Sequence, residues 1–352
     1  MRTALIFSGY NQRAVIALCR YFKSIDQQFV IVSSGVEDLI YLTDYKNNVI
    51  LERTDKTLTR ELFFKISSLY DDELVYCPTS EFLNMFVLEN VDSFQKRGIA
   101  SGMPPKEPYE KITSKWSSQE LFKDLDYIKI IETVELDKAQ VPCVIKPYKN
   151  VILNRVLYPF ICYSQDFLKE VKEKINRNEY FGQRFICGQS YYFCAYLSRN
   201  GSFEGYWQEN ILQQPDGKSI VLAKACNNPG LNEDALMNII YKAGYFGPLM
   251  IEFILEHDNF YYIEINPRFW GPLQLANDVN PQILDAYLEE WFGRSVTSIK
   301  TNASGYYAWN HGAQCQNLKK YPAINKLRNV KRLLFENDVY SKRDTINLSQ
   351  KY

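Results

Sequence analysis

The chain has 352 residues, 46% of them hydrophobic and 23% charged, which suits a soluble globular protein with room for more than one domain. Lys plus Arg and Asp plus Glu each number 41, a balance that calls for neither a nucleic acid nor an anionic membrane as partner. No stretch approaches the roughly 18 apolar residues of a membrane span, and the opening apolar run breaks at residues 9–13, too early for a signal peptide.

The eight cysteines form no Cys-x-x-Cys pair and there are two histidines, which speaks against zinc or haem attachment. The cysteines, Cys187 and Cys194 among them, read as structural free thiols in a reducing cytoplasm.

Strand and helix signals alternate through the first hundred residues. Apolar runs predict strands at 3–8, 29–32, 48–51 and 74–76, with helices at 12–23 and 58–69 between them. This predicts a doubly wound α/β domain over residues 1–108, closed by the breaker-rich run 101–108. The residues after Gly9 lack a Gly-x-Gly-x-x-Gly fingerprint, so a dehydrogenase reading is poor. A helix at 113–123 and a proline-ended strand at 141–147 follow, then a helix capped by Ser164 that runs to 176. Residues 182–221 turn to β, with turns at Asn200-Gly201 and Asp216-Gly217. A helix at 232–243 precedes two strong strands, 249–255 and 260–266. The last fifty residues are irregular and partly basic.

The two strong strands flank His257-Asp258-Asn259 and read as a hairpin. If it is symmetric about Asp258, Glu252 lies opposite Glu264, with Cβ atoms roughly 5 Å apart. Asn266 then shares their face, while Leu249, Ile251, Phe253, Ile263 and Ile265 form the other, a core face. Two facing carboxylates without a cation on their own strands need a counter-charge or a raised pKa. Two Glu and an amide oxygen suit a hard cation such as Mg²⁺, which keeps few protein ligands beside substrate phosphates. A solvated sheet face is the alternative reading of the same pattern.

The run Glu264-Ile265-Asn266-Pro267-Arg268, with Glu252 before it, resembles the signature of the ATP-grasp enzymes, such as biotin carboxylase and the carbamoyl-phosphate synthetase large subunit. The resemblance implies that Glu252, Glu264 and Asn266 hold one or two Mg²⁺ ions (Mn²⁺ being the alternative) that bridge ATP phosphates. It implies that Arg268 orients the γ-phosphate or an anionic intermediate. The strand ending Lys146-Pro147 resembles the one whose lysine reaches the α/β-phosphates, which gives Lys146 a binding and catalytic role. Ser114-Lys115 resembles an earlier nucleotide-binding lysine. Gln183, Arg184, Phe185 and Ile186, followed by Gly188, resemble the linker whose backbone meets adenine.

Three departures stand out. The loop after Lys146 has no glycine, so Lys149, Asn154 and Arg155 are candidates to replace backbone amides around phosphate. Arg184 stands where an acidic residue is common, and Gln189 falls near a usual ribose-binding Glu. Lys224 is a further candidate contact to phosphate or to a carboxylate substrate, and equally a surface lysine.

The resemblance, spanning roughly residues 110–293, implies a two-lobed ATP-grasp domain after the first domain. The expected lobes are 109–186 and 187–295, with 296–352 as a C-terminal extension that lines the acceptor side together with the first domain. The implied class is α/β and α+β. The implied reaction is ADP-forming ligation of a small-molecule carboxylate and an amine, amino-acid-like, through an acyl phosphate. A homodimer is allowed for. A nucleotide-binding module without turnover, and a kinase that stops at phosphorylation, stay open as alternatives.

Overall fold

The computed structural model describes residues 2–54, 58–70, 72–152, 155–301 and 305–351. The first unit runs β1 (Thr3–Phe7), α1 (Gln12–Ser24), β2 (Phe29–Ser33), β3 (Val49–Glu52), α2 (Arg60–Ser68), β4 (Leu74–Tyr76), α3 (Glu81–Glu89), α4 (Val91–Gln95) and β5 (Ile99–Ala100). Its strands are parallel in the order β3-β2-β1-β4-β5. Every residue of β1 and β2 is buried, as expected for strands covered on both faces. Strand order reverses between β1 and β4, so their C-terminal loops splay apart and leave a crevice. Those loops carry Tyr10 and Asn11 on one side and Thr79, Ser80 and Glu81 on the other. The Asn11 amide donates to Thr79 O at 3.0 Å and to Phe269 O at 3.1 Å, which pins the crevice to the rest of the chain.

Next come α5 (Lys106–Thr113), α6 (Lys115–Phe122), β6 (Ile128–Lys129), β7 (Thr133–Val134), β8 (Cys143–Pro147), β9 (Val151–Ile152), β10 (Arg155–Val156), β11 (Phe160–Cys162), α7 (Gln165–Lys174) and β12 (Tyr180–Arg184). The first lobe is the antiparallel sheet β11-β8-β12-β7. Cys143 and Ile145 on β8 pack with Leu168 and Val171 of α7 in one core, so the alternate residues Val144 and Lys146 face the other way. Ser164 caps α7 by accepting from Phe167 N at 3.3 Å.

The second lobe is built from β13 (Gln189–Leu197), β14 (Phe203–Gln213), β15 (Ile220–Cys226), α8 (Glu233–Lys242), β16 (Gly247–Glu256), β17 (Asn259–Asn266), α9 (Leu273–Val279) and α10 (Gln282–Phe292). The C-terminal segment adds β18 (Tyr306–Ala308), α11 (Asn310–Ala313), β19 (Lys319–Lys320), α12 (Val330–Glu336) and α13 (Ile346–Gln350). The large sheet runs β18-β15-β14-β13-β16-β17-β6, with β19 beside β14. One face of β13 and β16, including Phe193, Leu249, Ile251 and Phe253, packs under α6 and α8. The opposite face holds Tyr192, Cys194 and Met250, which pack with residues of α1, α9 and α10.

The expected lobe boundaries are crossed at two places. Helix α6 packs on β17, where Phe122 and Tyr262 have ring centroids 4.9 Å apart and the Tyr262 hydroxyl donates to Ser118 at 2.7 Å. Strand β6 also pairs with β17, so residues before 133 belong to the second lobe's sheet. Strands β18 and β19 of the C-terminal segment likewise join that sheet, where an irregular tail was expected.

Candidate nucleotide site

Strands β16 and β17 pair Glu252 directly with Glu264, as the hairpin reading required, by a different route. The turn holds two residues, His257 at φ 48 and Asp258 at φ 63, both left-handed, so that Glu256 pairs with Asn259. That register alone would set Ile263 opposite Glu252. A bulge between the Phe253–Tyr262 and Glu252–Glu264 pairs inserts Ile263 and brings Glu264 into place. Ile263 therefore leaves the core face expected for it and lines the cavity with Ile254.

The carboxylate pair looks into a cavity of about 1010 Å³ between the two lobes and the first domain's crevice. Helix α6 begins here: Ser114 accepts from Ser117 N at 3.3 Å, which sets Lys115 as the first helical residue. A cation there opposes the helix dipole. Its Nζ lies 3.5 Å from Glu264 Oε2, and its side chain is 5% exposed. Lys146 enters from β8 and is buried. Burial, then Lys115, lower the Lys146 pKa to about 8, against the pull of Glu264 and Glu252.

Glu252 is pushed up to about 7 by burial and by Glu264, while the Ser190 hydroxyl donates to its Oε1 at 3.1 Å. Burial also acts to raise Glu264, but Lys115 and Lys146 outweigh it and hold its carboxyl below the usual range. The pair thus carries its first negative charge on Glu264. The Asn266 amide nitrogen donates to Glu264 Oε1 at 2.8 Å, and its oxygen accepts from Arg268 at 3.3 Å. Among the described residues no cluster of three or more His, Cys, Asp or Glu could hold a metal. Two carboxylates and an amide are the donor set, which fits a hard cation that keeps water and phosphate ligands and does not fit an all-protein cage.

One part of the cavity wall is an apolar slot. Ile131, Ile186 and Ile254 are buried there beside Ile263 and Tyr261, and Phe185 joins the lining. Gln183 donates to Ile131 O at 3.1 Å and so holds the slot's edge. Arg184 lines the cavity beside Phe185 and ion-pairs with Glu256 at 3.0 Å. Another part is the crevice of the first domain, where Glu81 opens α3 and accepts from Asn150 at 2.9 Å. Burial raises the Glu81 pKa, while Arg268 and Lys115 oppose the rise.

Several expected residues lie elsewhere. Lys149 is exposed, and Arg155 is exposed and ion-paired with Glu179 at 3.0 Å; neither lines the cavity. Asn154 falls outside the described residues. Gln189 is buried, donates to Ser190 O and Asn210 O, and accepts from Ala323 N at 2.7 Å, so it ties strands together and does not line the cavity. Lys224 pairs with Glu209 at 3.1 Å, again away from the cavity lining.

Glu81 and Lys319 are among the charged lining residues that were not foreseen. Glu81 follows the switch point of a parallel sheet, and the strand assignments alone, combined with the switch-point rule, would have pointed to its loop. Lys319 carries no sequence signal.

No family model matches the sequence, and comparison with curated proteins finds no significant match. Solved structures do match. N5-carboxyaminoimidazole ribonucleotide synthetase from Thermus thermophilus aligns with a TM-score of 0.62 at 15% identity, over 87% of this chain and 82% of that one. A β-γ-ATP complex of biotin carboxylase from Campylobacter jejuni aligns with a TM-score of 0.64 at 13% identity, over 87% and 75%. The chain has the ATP-grasp fold. Pyruvate carboxylase from Rhizobium etli shares the fold with a TM-score of 0.63 at 14% identity, and this chain spans 29% of its length. Among the described residues no helix is long and apolar enough to cross a membrane.

Proposed function

We propose that this chain is an ATP-dependent carboxylate–amine ligase that releases ADP and phosphate. The observation that carries the reading is the Glu252–Glu264 pair facing Lys115 and Lys146 across one cavity. A buried lysine next to another lysine is electrostatically unfavourable, and a polyanion between them relieves both. The apolar slot at Ile131, Ile186 and Phe185 suits a flat base at the far end of such an anion. The volume, about 1010 Å³, suits a nucleotide with a small acceptor beside it.

In this reading Lys115 and Lys146 bind phosphate oxygens. Glu252, Glu264 and Asn266 hold one or two Mg²⁺ ions, or Mn²⁺, with the Asn266 amide turned over to offer its oxygen. The metal, when bound, neutralises phosphate charge. Arg268 holds the substrate carboxylate, whose oxygen attacks the γ-phosphorus as the bond to ADP breaks. The amine nitrogen then attacks the acyl phosphate carbon, the C–O bond to phosphate breaks, and an amide forms. Glu81, kept easier to protonate by burial, receives the amine proton at the crevice end. Positioning and charge do most of this work. All eight cysteines are free thiols, in keeping with a cytoplasmic setting.

The test is ADP release measured over panels of amino acids, other carboxylates and amines with Mg²⁺-ATP, with mass analysis of the product. An amide formed one-for-one with ADP supports the ligase. A phosphorylated product with no amide marks a kinase, and tight ATP binding without turnover on any panel marks a regulatory module.

A further inference from the structure

A gap remains around the phosphates on the first lobe. The segment after Lys146 has no glycine to wrap phosphate with backbone amides, and its cations Lys149 and Arg155 face solvent. The structure fills that gap from the far end of the chain. We infer that Lys319, carried by the C-terminal segment, binds the nucleotide's phosphates in this same site.

Strand β19 lies along the end of β14, with Lys319 opposite Gln213. The register is held on the C-terminal side of Lys319 by three bonds. Tyr321 N donates to Ile211 O at 3.0 Å, the Tyr321 hydroxyl donates to Gln213 at 2.6 Å, and Ala323 N donates to Gln189 at 2.7 Å. Strand alternation then turns Lys319 and Tyr321 into the cavity and leaves Lys320 exposed.

The Lys319 ammonium lies 5.2 Å from the Phe185 ring centroid and 4.6 Å from that of Tyr321. Among the described residues it has no hydrogen bond and no carboxylate within ion-pair distance, although Glu252 acts on it electrostatically. It therefore stands between the base slot, marked by Phe185, and the carboxylate pair, marked by Glu252. A phosphate chain that joins a base in that slot to a cation on that pair passes this point. A half-buried ammonium held by two rings, with Glu252 acting on it only from beyond ion-pair distance, gains most from an anion there. The C-terminal segment thus belongs to the nucleotide end of the cavity, where the sequence had suggested the acceptor side.

The inference rests on the ATP reading, so the experiment separates the two. Calorimetric affinities for ATP, ADP and adenosine are measured for the wild type, Lys319→Met, Lys319→Arg and Lys146→Met, with melting temperatures as a folding control. Methionine keeps the stem between the rings and removes the charge. Expected is a loss of about 10- to 100-fold for ATP and ADP in Lys319→Met, the worth of one charge-assisted contact. Adenosine affinity stays unchanged, and Lys319→Arg recovers most of the loss. Wild-type ATP affinity in a folded Lys319→Met, beside weakened binding in Lys146→Met, overturns this inference and leaves the ATP reading standing. An equal loss for adenosine also overturns it, since the residue would then be shaping the slot. A wild-type protein that binds neither ATP nor ADP removes both.

Discussion

Replacing Glu264 by glutamine changes one atom and one charge at the centre of the site. Glu264 attracts Lys115 across 3.5 Å. At an effective dielectric of about 20 that is worth about 5 kcal/mol before desolvation. The same carboxylate repels Glu252, its direct partner in the sheet. At roughly 5 Å and the same dielectric the repulsion is about 3 kcal/mol. The two oppose each other and leave about 2 kcal/mol, and the glutamine oxygen still accepts from Asn266. The expected stability loss is therefore only about 1–2 kcal/mol, a shift of a few degrees in melting temperature.

On the proposed reading function should respond differently, because a cation held by Glu252 and Glu264 would lose one of its two charged ligands. Mg²⁺-dependent ADP release should fall about 10²–10³-fold. The substrate-free assay is ADP affinity by calorimetry with and without Mg²⁺: the tightening that the metal brings should shrink at least about 10-fold in Glu264→Gln. A folded variant with the wild-type metal effect would refute the assignment of Glu264 to the metal.

Four further outcomes are expected. Lys146→Ala should weaken ATP binding and slow turnover by about 10²–10³, checked by calorimetry and ADP release. The kcat/KM for ATP should rise with pH through about 7, as Glu252 loses its proton and accepts a cation, and fall through about 8, as Lys146 loses its charge; Lys146→Met should abolish the falling limb and move the rising limb to higher pH, since Lys146 helps hold the Glu252 pKa down. Lys149→Ala and Arg155→Ala should leave ATP affinity within about twofold, since both side chains face solvent and an exposed ion pair contributes little; a tenfold loss in either would place them over the phosphates. Asp258→Gly should raise stability by about 0.5–1 kcal/mol, because Asp258 sits at φ 63 in a tight turn, and a lower denaturation midpoint would contradict the turn geometry.

Much of this protein is legible in local periodicity. The apolar runs of β1, β2 and β4 announce strands buried on both faces, and parallel strands separated by helices follow from them. The cap at Ser164 and the alternation Cys143, Val144, Ile145, Lys146 are equally local, and they orient Lys146 without reference to anything distant. The pairing of Glu252 with Glu264 was also readable, but only because an assumed three-residue turn and the real combination of a two-residue turn with a bulge give the same sum.

What the tertiary structure decided are the places where chain segments meet. Glu81 lines the cavity because strand order reverses at β1 and β4, and Lys319 because a strand more than a hundred residues after Gln213 docks beside it. Gln189 looked like a ligand by position and turned out to hold that docking strand through Ala323 N. Lys149 and Arg155 looked like phosphate contacts by charge and turned outward, because nothing in composition says which way a short hairpin faces. Side-chain period is a property of a few consecutive residues, whereas strand order, edge pairing and the exit direction of a loop are set by the burial of surfaces far apart in sequence.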